Sequence, residues 1–284
     1  MISGGNLLQK ALRYFMEAGE AETMDGLQVR TYFVRGRNAL LARADFGELY
    51  VDYYLHQGQY GYHHAPAHDG MLKEALAALT LHCASRPWNE AWAWTIHFHR
   101  PLLNLFVTGD NRRGIVVGQL FTENVKDDGR NLFCADLVRE RQDSRRSTVQ
   151  FKSAEPFAIV EEFYARSEQR PARYFRHGPE DFVMITAQPD CDLDWLQALD
   201  DEKVRSLDEN ETLSLLEERR YKWGCGCSPE RMFAILGPMM RTDAESLFGK
   251  EDSIRVNCPR CGASHVVTRG SLEAYLAQNA AAGP

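Results

Sequence analysis

No stretch of the chain reaches the roughly 18 consecutive apolar residues of a membrane-crossing helix. The opening residues Met1 to Lys10 lack a basic start followed by an apolar run, so no secretory signal is read and the expected address is the cytoplasm. There is no Gly-rich loop followed by a lysine, which argues against phosphate-cradling nucleotide chemistry. Lys and Arg together number 33 against 40 for Asp and Glu, a net charge of −7. A chain short of clustered cations is a poor partner for nucleic acid or for an anionic membrane surface. Internal repeats are absent, and the one low-complexity stretch is the tail Ala280–Pro284.

What is present is an ordinary globular composition, with 44% hydrophobic and 26% charged residues over 284 positions. That length allows one large domain and a smaller one. Hydrophobic periodicity divides it. Leu8, Leu12 and Phe15 share one face of an expected helix over 6–18. Residues 28–34 read as a strand, and 56–69, with Gly58, Gly61, Pro66 and four histidines, as a loop. Asp69 is placed to cap a helix over 70–84 that buries Leu72, Ala75, Leu76 and Leu79.

The period then changes from 3.6 to 2. Trp92, Trp94, Ile96 and Phe98 alternate with Ala93, Thr95, His97 and His99, as along a half-buried strand. Leu103, Leu105 and Val107 continue in a second strand, ended by the turn signal Gly109-Asp110-Asn111. Further strands are expected at 114–121, 131–138, 146–151 and 181–187. A helix begins near Ser153, with Pro156 in its first turn. Short turns between these strands argue for an antiparallel sheet.

Beyond 190 the composition shifts. Residues 196–224 carry eight acidic and five basic side chains. Asp208 and Glu211 resemble a capping box, and Arg219, Arg220 and Lys222 sit where a helix C-terminus favours cations, with Gly224 as its stop. This segment reads as a charged helical linker. The expected fold is α+β, with an antiparallel-sheet core and flanking helices over 1–190 and the linker over 191–224. A small cysteine domain at 225–270 and a tail at 271–284 complete it.

Seven cysteines is an odd number, and four lie near the C-terminus, in Cys225-Gly-Cys227 and Cys258-Pro-Arg-Cys261. Two close thiol pairs are what a tetrahedral zinc ion needs, each pair supplied by a tight turn. Gly226 and Gly262 allow the backbone to bend there. Four thiolates leave no open coordination position, so hydrolytic zinc catalysis is not expected and the site is a structural staple or a switch. The Cys-x-Cys pair favours the switch, because two such close sulfurs readily form a disulfide. Oxidation would then remove the ligands and the folding energy that depends on them.

Two segments resemble a known family, the redox-regulated chaperones named heat-shock protein of 33 kDa. The first is Tyr164-Ala-Arg-Ser167-Glu168-Gln169-Arg-Pro171, similar to the family's Tyr-x-x-Ser-Glu-Gln-x-Pro signature. The second is the pair of cysteine motifs, whose spacing is similar to the family's zinc motif. The resemblance implies a non-enzymatic, ATP-independent holdase, inactive when reduced with one Zn2+ on Cys225, Cys227, Cys258 and Cys261. It implies disulfides Cys225–Cys227 and Cys258–Cys261 on oxidation, unfolding of the cysteine domain and linker, and dimer formation. Unfolding client proteins are then held and later passed to ATP-driven foldase chaperones. The linker runs almost directly into Cys225, residues 263–268 lack the family's usual aromatic, and the tryptophan-rich stretch 88–94 is not a family feature. The alternative is a protein-binding module whose zinc is purely structural.

Other candidates have plainer readings. His63, His64 and His68 could hold a metal, but a Gly/Tyr-rich loop with only Asp69 nearby reads as solvated. His97 and His99 read as the polar face of a strand, and Cys83, Cys134 and Cys191 as incidental thiols. No base or nucleophile elbow accompanies Ser167, so Ser167-Glu168-Gln169 reads as a helix-end packing motif. Trp88, Trp92 and Trp94 could serve a client surface, but the alternation sends Trp92 and Trp94 to the core.

Overall fold

A computed structural model describes residues 26–140 and 142–281. The expected helix over 6–18 lies outside the described residues. The chain divides into two compact units at Gly224/Cys225.

The larger unit is built on a ten-stranded sheet. Its strands are β1 (Leu27–Val34), β2 (Ala39–Asp45), β3 (Glu90–Phe98), β4 (Leu103–Asp110) and β5 (Ile115–Phe121), then β6 (Leu132–Arg139), β7 (Arg145–Gln150), β8 (Ala172–Arg176), β9 (Asp181–Ala187) and β10 (Leu213–Trp223). The order is β7-β6-β3-β4-β5-β10-β1-β2-β9-β8. Every pairing is antiparallel except a short parallel join, Lys222 to Ile115 and Trp223 to Val116. The α+β class expected from the alternating strands is therefore the observed one.

Helices α1 (Gly47–Tyr60) and α2 (Pro66–Ala84) precede β3, and α3 (Pro156–Phe163) follows β7. From Ala75 to Ala84 every side chain of α2 is buried, the mark of a helix packed on all sides. Alanines on α2 and glycines on the sheet permit the close approach. A Cβ added at Gly109 would lie 2.7 Å from Cys83 Sγ, and one at Gly118 would lie 2.8 Å from Val107 Cγ1. Trp92, Trp94, Ile96 and Phe98 of β3 line this core, as their period predicts.

The opposite face of β3 is not water-washed. His97 is only 5% exposed, and its Nδ1 lies 2.7 Å from Asn104 Oδ1. His99 sits just past the strand, with Nδ1 2.6 Å from Asp127 Oδ1. The 56–69 stretch is also shorter as a loop than its composition suggests. Helix α1 runs to Tyr60, where Gly61 takes a left-handed φ of 67°, and α2 starts at Pro66, whose missing N–H costs nothing at the first helical position. Asp69 is not a cap; it accepts hydrogen bonds from the Tyr53 and Tyr54 hydroxyls at 2.7 and 2.6 Å.

The expected helical linker is corrected. Its first part is three short helices, α4 (Leu193–Ala198), α5 (Asp201–Arg205) and α6 (Leu207–Asn210), but its second part is β10, an interior strand. The cause is tertiary. Arg219 and Tyr221 alternate inward with Glu218 and Arg220 outward, and the charges that suit a helix end instead pair across strands, with Arg30 Nε 2.9 Å from Glu218 Oε1. Buried Arg219 has Nη1 donating to the Cys83 and Arg86 carbonyls at 3.2 and 2.7 Å. Glu211, read as the far half of a capping box, is paired with Arg37 at 2.9 Å. Cross-strand pairing and burial outweigh a helical propensity worth only tenths of a kcal/mol per residue, in the range of about 0–0.7.

Helices α4–α6 cover the second face of one half of the sheet. Leu196, Leu199, Val204 and Leu207 pack on Val34, Leu41, Phe175, Val183 and Ile185. Even positions of β1 and odd positions of β2 and β9 point this way, while their neighbours point to α2.

The smaller unit contains α7 (Pro229–Thr242), α8 (Ala244–Phe248), a hairpin of β11 (Ser253–Asn257) and β12 (Ser264–Thr268), and α9 (Arg269–Ala281). Ser228 caps α7 by accepting from the Arg231 N–H at 3.3 Å. Among the unit's described residues the buried apolar cluster is Met232, Phe233, Leu236, Phe248, Val267 and Leu272.

Candidate metal centre

Cys225 and Cys227 lie between the end of β10 and the start of α7. Gly226 between them has φ 65°, a left-handed geometry that suits glycine. Cys258 and Cys261 sit in the turn of the β11–β12 hairpin. There the Cys258 N–H donates to Ala263 O at 2.7 Å, the Gly262 N–H donates to Cys258 O at 2.9 Å, and Gly262 has φ 75°. Both glycines thus serve the bends expected of them.

The four sulfurs all lie within 4.8 Å of one another. Cys225 and Cys258 Sγ are 3.5 Å apart, and Cys227 and Cys261 Sγ 3.6 Å. These are not disulfides, which need about 2.05 Å. Four thiolates at about 2.3 Å from a zinc ion would stand about 3.8 Å apart, so the spacing and the all-sulfur donor set both fit that metal. Cys225, Cys258 and Cys261 are buried, and Cys227 is the most open of the four. Contacts among the sulfurs push the Cys258 thiol down and the Cys261 thiol up, each chiefly through Cys225. Four anionic sulfurs so close need a cation among them.

Two neighbours escaped the sequence reading. Arg260 is 7% exposed and its Nη1 donates to Cys225 O at 3.2 Å. His265 is 8% exposed, with Nε2 3.2 Å from Cys227 Sγ. The signal for His265 was the period of β12, where positions 265 and 267 share the buried face.

Among the described residues, no other group of three or more His, Cys, Asp or Glu side chains is placed to hold a metal ion. His63 is exposed and His64 half-buried, with burial lowering the His64 pKa. Cys83 lies buried in the core, its thiol pushed up by burial, far from the reactive thiolate form. The Ser-Glu-Gln motif is a helix-end packing device, as read. Residues Tyr164–Glu168 form a π-helical turn closed by Gln169 at φ 54°. Tyr164 Oη lies 2.6 Å from His82 Nδ1, and Glu168 pairs with Arg86 at 3.1 Å. The motif therefore fastens the end of α3 to the end of α2. Trp88 is 51% exposed, beneath the Arg219 guanidinium at 4.2 Å.

Fold and site together define a two-unit α+β protein with a four-cysteine knuckle in its C-terminal lobe. A family model described as Hsp33 protein matches residues 184–268, from β9 through β12 and across all four cysteines. The 33 kDa chaperonin of Aliivibrio salmonicida (strain LFI1238) is 21% identical over 227 residues, covering 69% of this chain and 78% of that protein. The crystal structure of the 33 kDa chaperonin (heat shock protein 33 homolog) of Thermotoga maritima matches with a TM-score of 0.66 at 15% identity, covering 90% of this chain and 100% of that one. At that identity the structural match establishes the fold. The chain is thus similar to Hsp33 proteins over residues 184–268, which include the four cysteines, and shares their fold.

Proposed function

We propose that the chain is an Hsp33-type, ATP-independent holdase whose activity is switched by oxidation of Cys225, Cys227, Cys258 and Cys261. The observation that carries the reading is the cluster of four sulfurs within 4.8 Å in a lobe with a small core. Zinc, when bound, would cross-link the knuckle and hold the sulfurs as thiolates. A lobe this small depends on such a cross-link for much of its stability.

In the proposed switch, peroxide oxidises the pairs Cys225–Cys227 and Cys258–Cys261. Neighbours in one tight turn stay close as the lobe loosens, so their effective concentration is high. The cross pairs would instead close long loops and staple the lobe shut. Loss of the knuckle frees the chain after Gly224.

The client surface proposed is the sheet face under α4–α6. These helices have six, five and four residues, too short to persist without their packing. Lifting them would uncover Val34, Leu41, Phe175, Val183 and Ile185, an apolar patch suited to unfolding chains. Homodimer formation on oxidation and later delivery of clients to ATP-driven foldases belong to the same proposal. Among the described residues no helix is long and apolar enough to cross a membrane, and the cytoplasm is the proposed site of action.

The test is a peroxide titration of the zinc-loaded chain, following metal release, free thiols and aggregation of a heat-unfolded client in the same samples. Loss of four thiols, metal release and client protection rising together support the switch. Metal release with no gain in protection would leave the site as a structural staple.

A further inference from the structure

Four sulfurs on one divalent cation leave a dianionic cluster, and the side chains that touch its sulfurs set their reactivity. Cys227 is the most open of the four. A side-chain nitrogen approaches this sulfur, His265 Nε2 at 3.2 Å. That ring is held on the buried face of β12, opposite Val256 of β11, with Val267 two positions on in the lobe's core.

We propose that His265 is a positioning residue that restrains Cys227: its Nε2–H donates a hydrogen bond to the sulfur, holds that thiolate at the metal and slows its attack on hydroperoxides. The inference rests on the reading of the four cysteines as a metal site. In the step concerned, the Cys227 thiolate attacks one peroxide oxygen. An S–O bond forms, the O–O bond breaks and hydroxide leaves; the sulfur gives up two electrons and the peroxide takes them. The Cys225 thiolate then attacks the Cys227 sulfur, forming the S–S bond and expelling a second hydroxide. The lone pair that attacks peroxide belongs to the sulfur that accepts the His265 hydrogen bond. Charge-assisted hydrogen bonds to sulfur stabilise the thiolate and reduce its nucleophilicity.

The experiment loads the full chain with Co(II) in place of zinc and compares it with His265→Ala and with His265→Gln, which keeps an N–H donor. In His265→Ala the thiolate-to-cobalt charge-transfer bands should move to longer wavelength, and metal affinity should fall on the order of 10-fold. Mass spectrometry of alkylated samples should show Cys227 lost to hydrogen peroxide roughly 3- to 10-fold faster, the scale of a lost charge-assisted hydrogen bond only partly broken at the transition state. His265→Gln should restore the bands and the rate towards the parent values. Bands and oxidation rate unmoved in His265→Ala, or His265→Gln behaving like His265→Ala, would overturn the inference and reduce the contact to packing. Absence of thiolate–cobalt bands from the unsubstituted chain would overturn the metal reading and this inference with it.

Discussion

Three buried residues, His82, Tyr164 and Gly109, set limits on this core. His82 is fully buried beside Trp92, Trp94 and Tyr164, and its pKa is pushed well below the usual histidine value, first by burial and then by Arg86. Above about pH 6.5 the ring is neutral in both folded and unfolded chains and contributes no pH dependence. Below it, the unfolded chain takes up a proton that the folded chain refuses. Stability should therefore fall as pH drops through 6.5, by up to about 1.4 kcal/mol per pH unit for this one group. Denaturant midpoints at pH 7.5, 6.5 and 5.5, compared with His82→Leu, test it; equal slopes in the two proteins would rule it out. Tyr164 adds the opposite limb. Its hydroxyl is pushed up to about 12 by burial, so its share of stability is lost as pH rises from about 10 towards that value. Gly109 sets a steric limit, since a methyl there would meet Cys83 Sγ at 2.7 Å. Gly109→Ala should cost about 1–3 kcal/mol through overpacking, read as a lower thermal midpoint.

Elements separate what packing locks from what it merely holds. Leu196 and Leu207 anchor α4 and α6 to the second sheet face, and truncating a buried leucine typically costs about 2–5 kcal/mol. Leu196→Ala with Leu207→Ala should thus raise client protection in the reduced, metal-loaded chain above that of the parent. Light scattering of a heat-unfolded client would show it, and unchanged protection with the helices demonstrably loosened by hydrogen exchange would count against that face as the client surface. The same elements show what sequence could reveal. Strands β3 to β7 were legible because alternation and turn residues agree there. The helical reading of 208–222 failed because Arg219 and Tyr221 are buried by distant partners, the β1 strand and the segment around Cys83, Arg86 and Asn111, and no local pattern carries that information. The clustering of the four cysteines was legible from their spacing. His265 was not, because its role depends on the hairpin register that turns it towards Cys227.

At the scale of the molecule, the two units differ in what holds them. The larger has an extensive core on both faces of part of its sheet, whereas the smaller has, among its described residues, one limited apolar cluster beside a group of four sulfurs. Chelation of the metal from the reduced chain should therefore abolish hydrogen-exchange protection over 225–281 while leaving β3–β6 protected. Simultaneous loss in both units would show that the core depends on the knuckle as well. The placement of β10 also bears on how the chain is made. Strand β1 is translated early, yet one of its edges is completed only by Leu213–Tyr221. At about 5–20 residues per second, a ribosome needs roughly ten to forty seconds to supply that partner. Until then the nascent chain carries an open strand edge, and its sheet closes only shortly before the first of the four cysteines is synthesised.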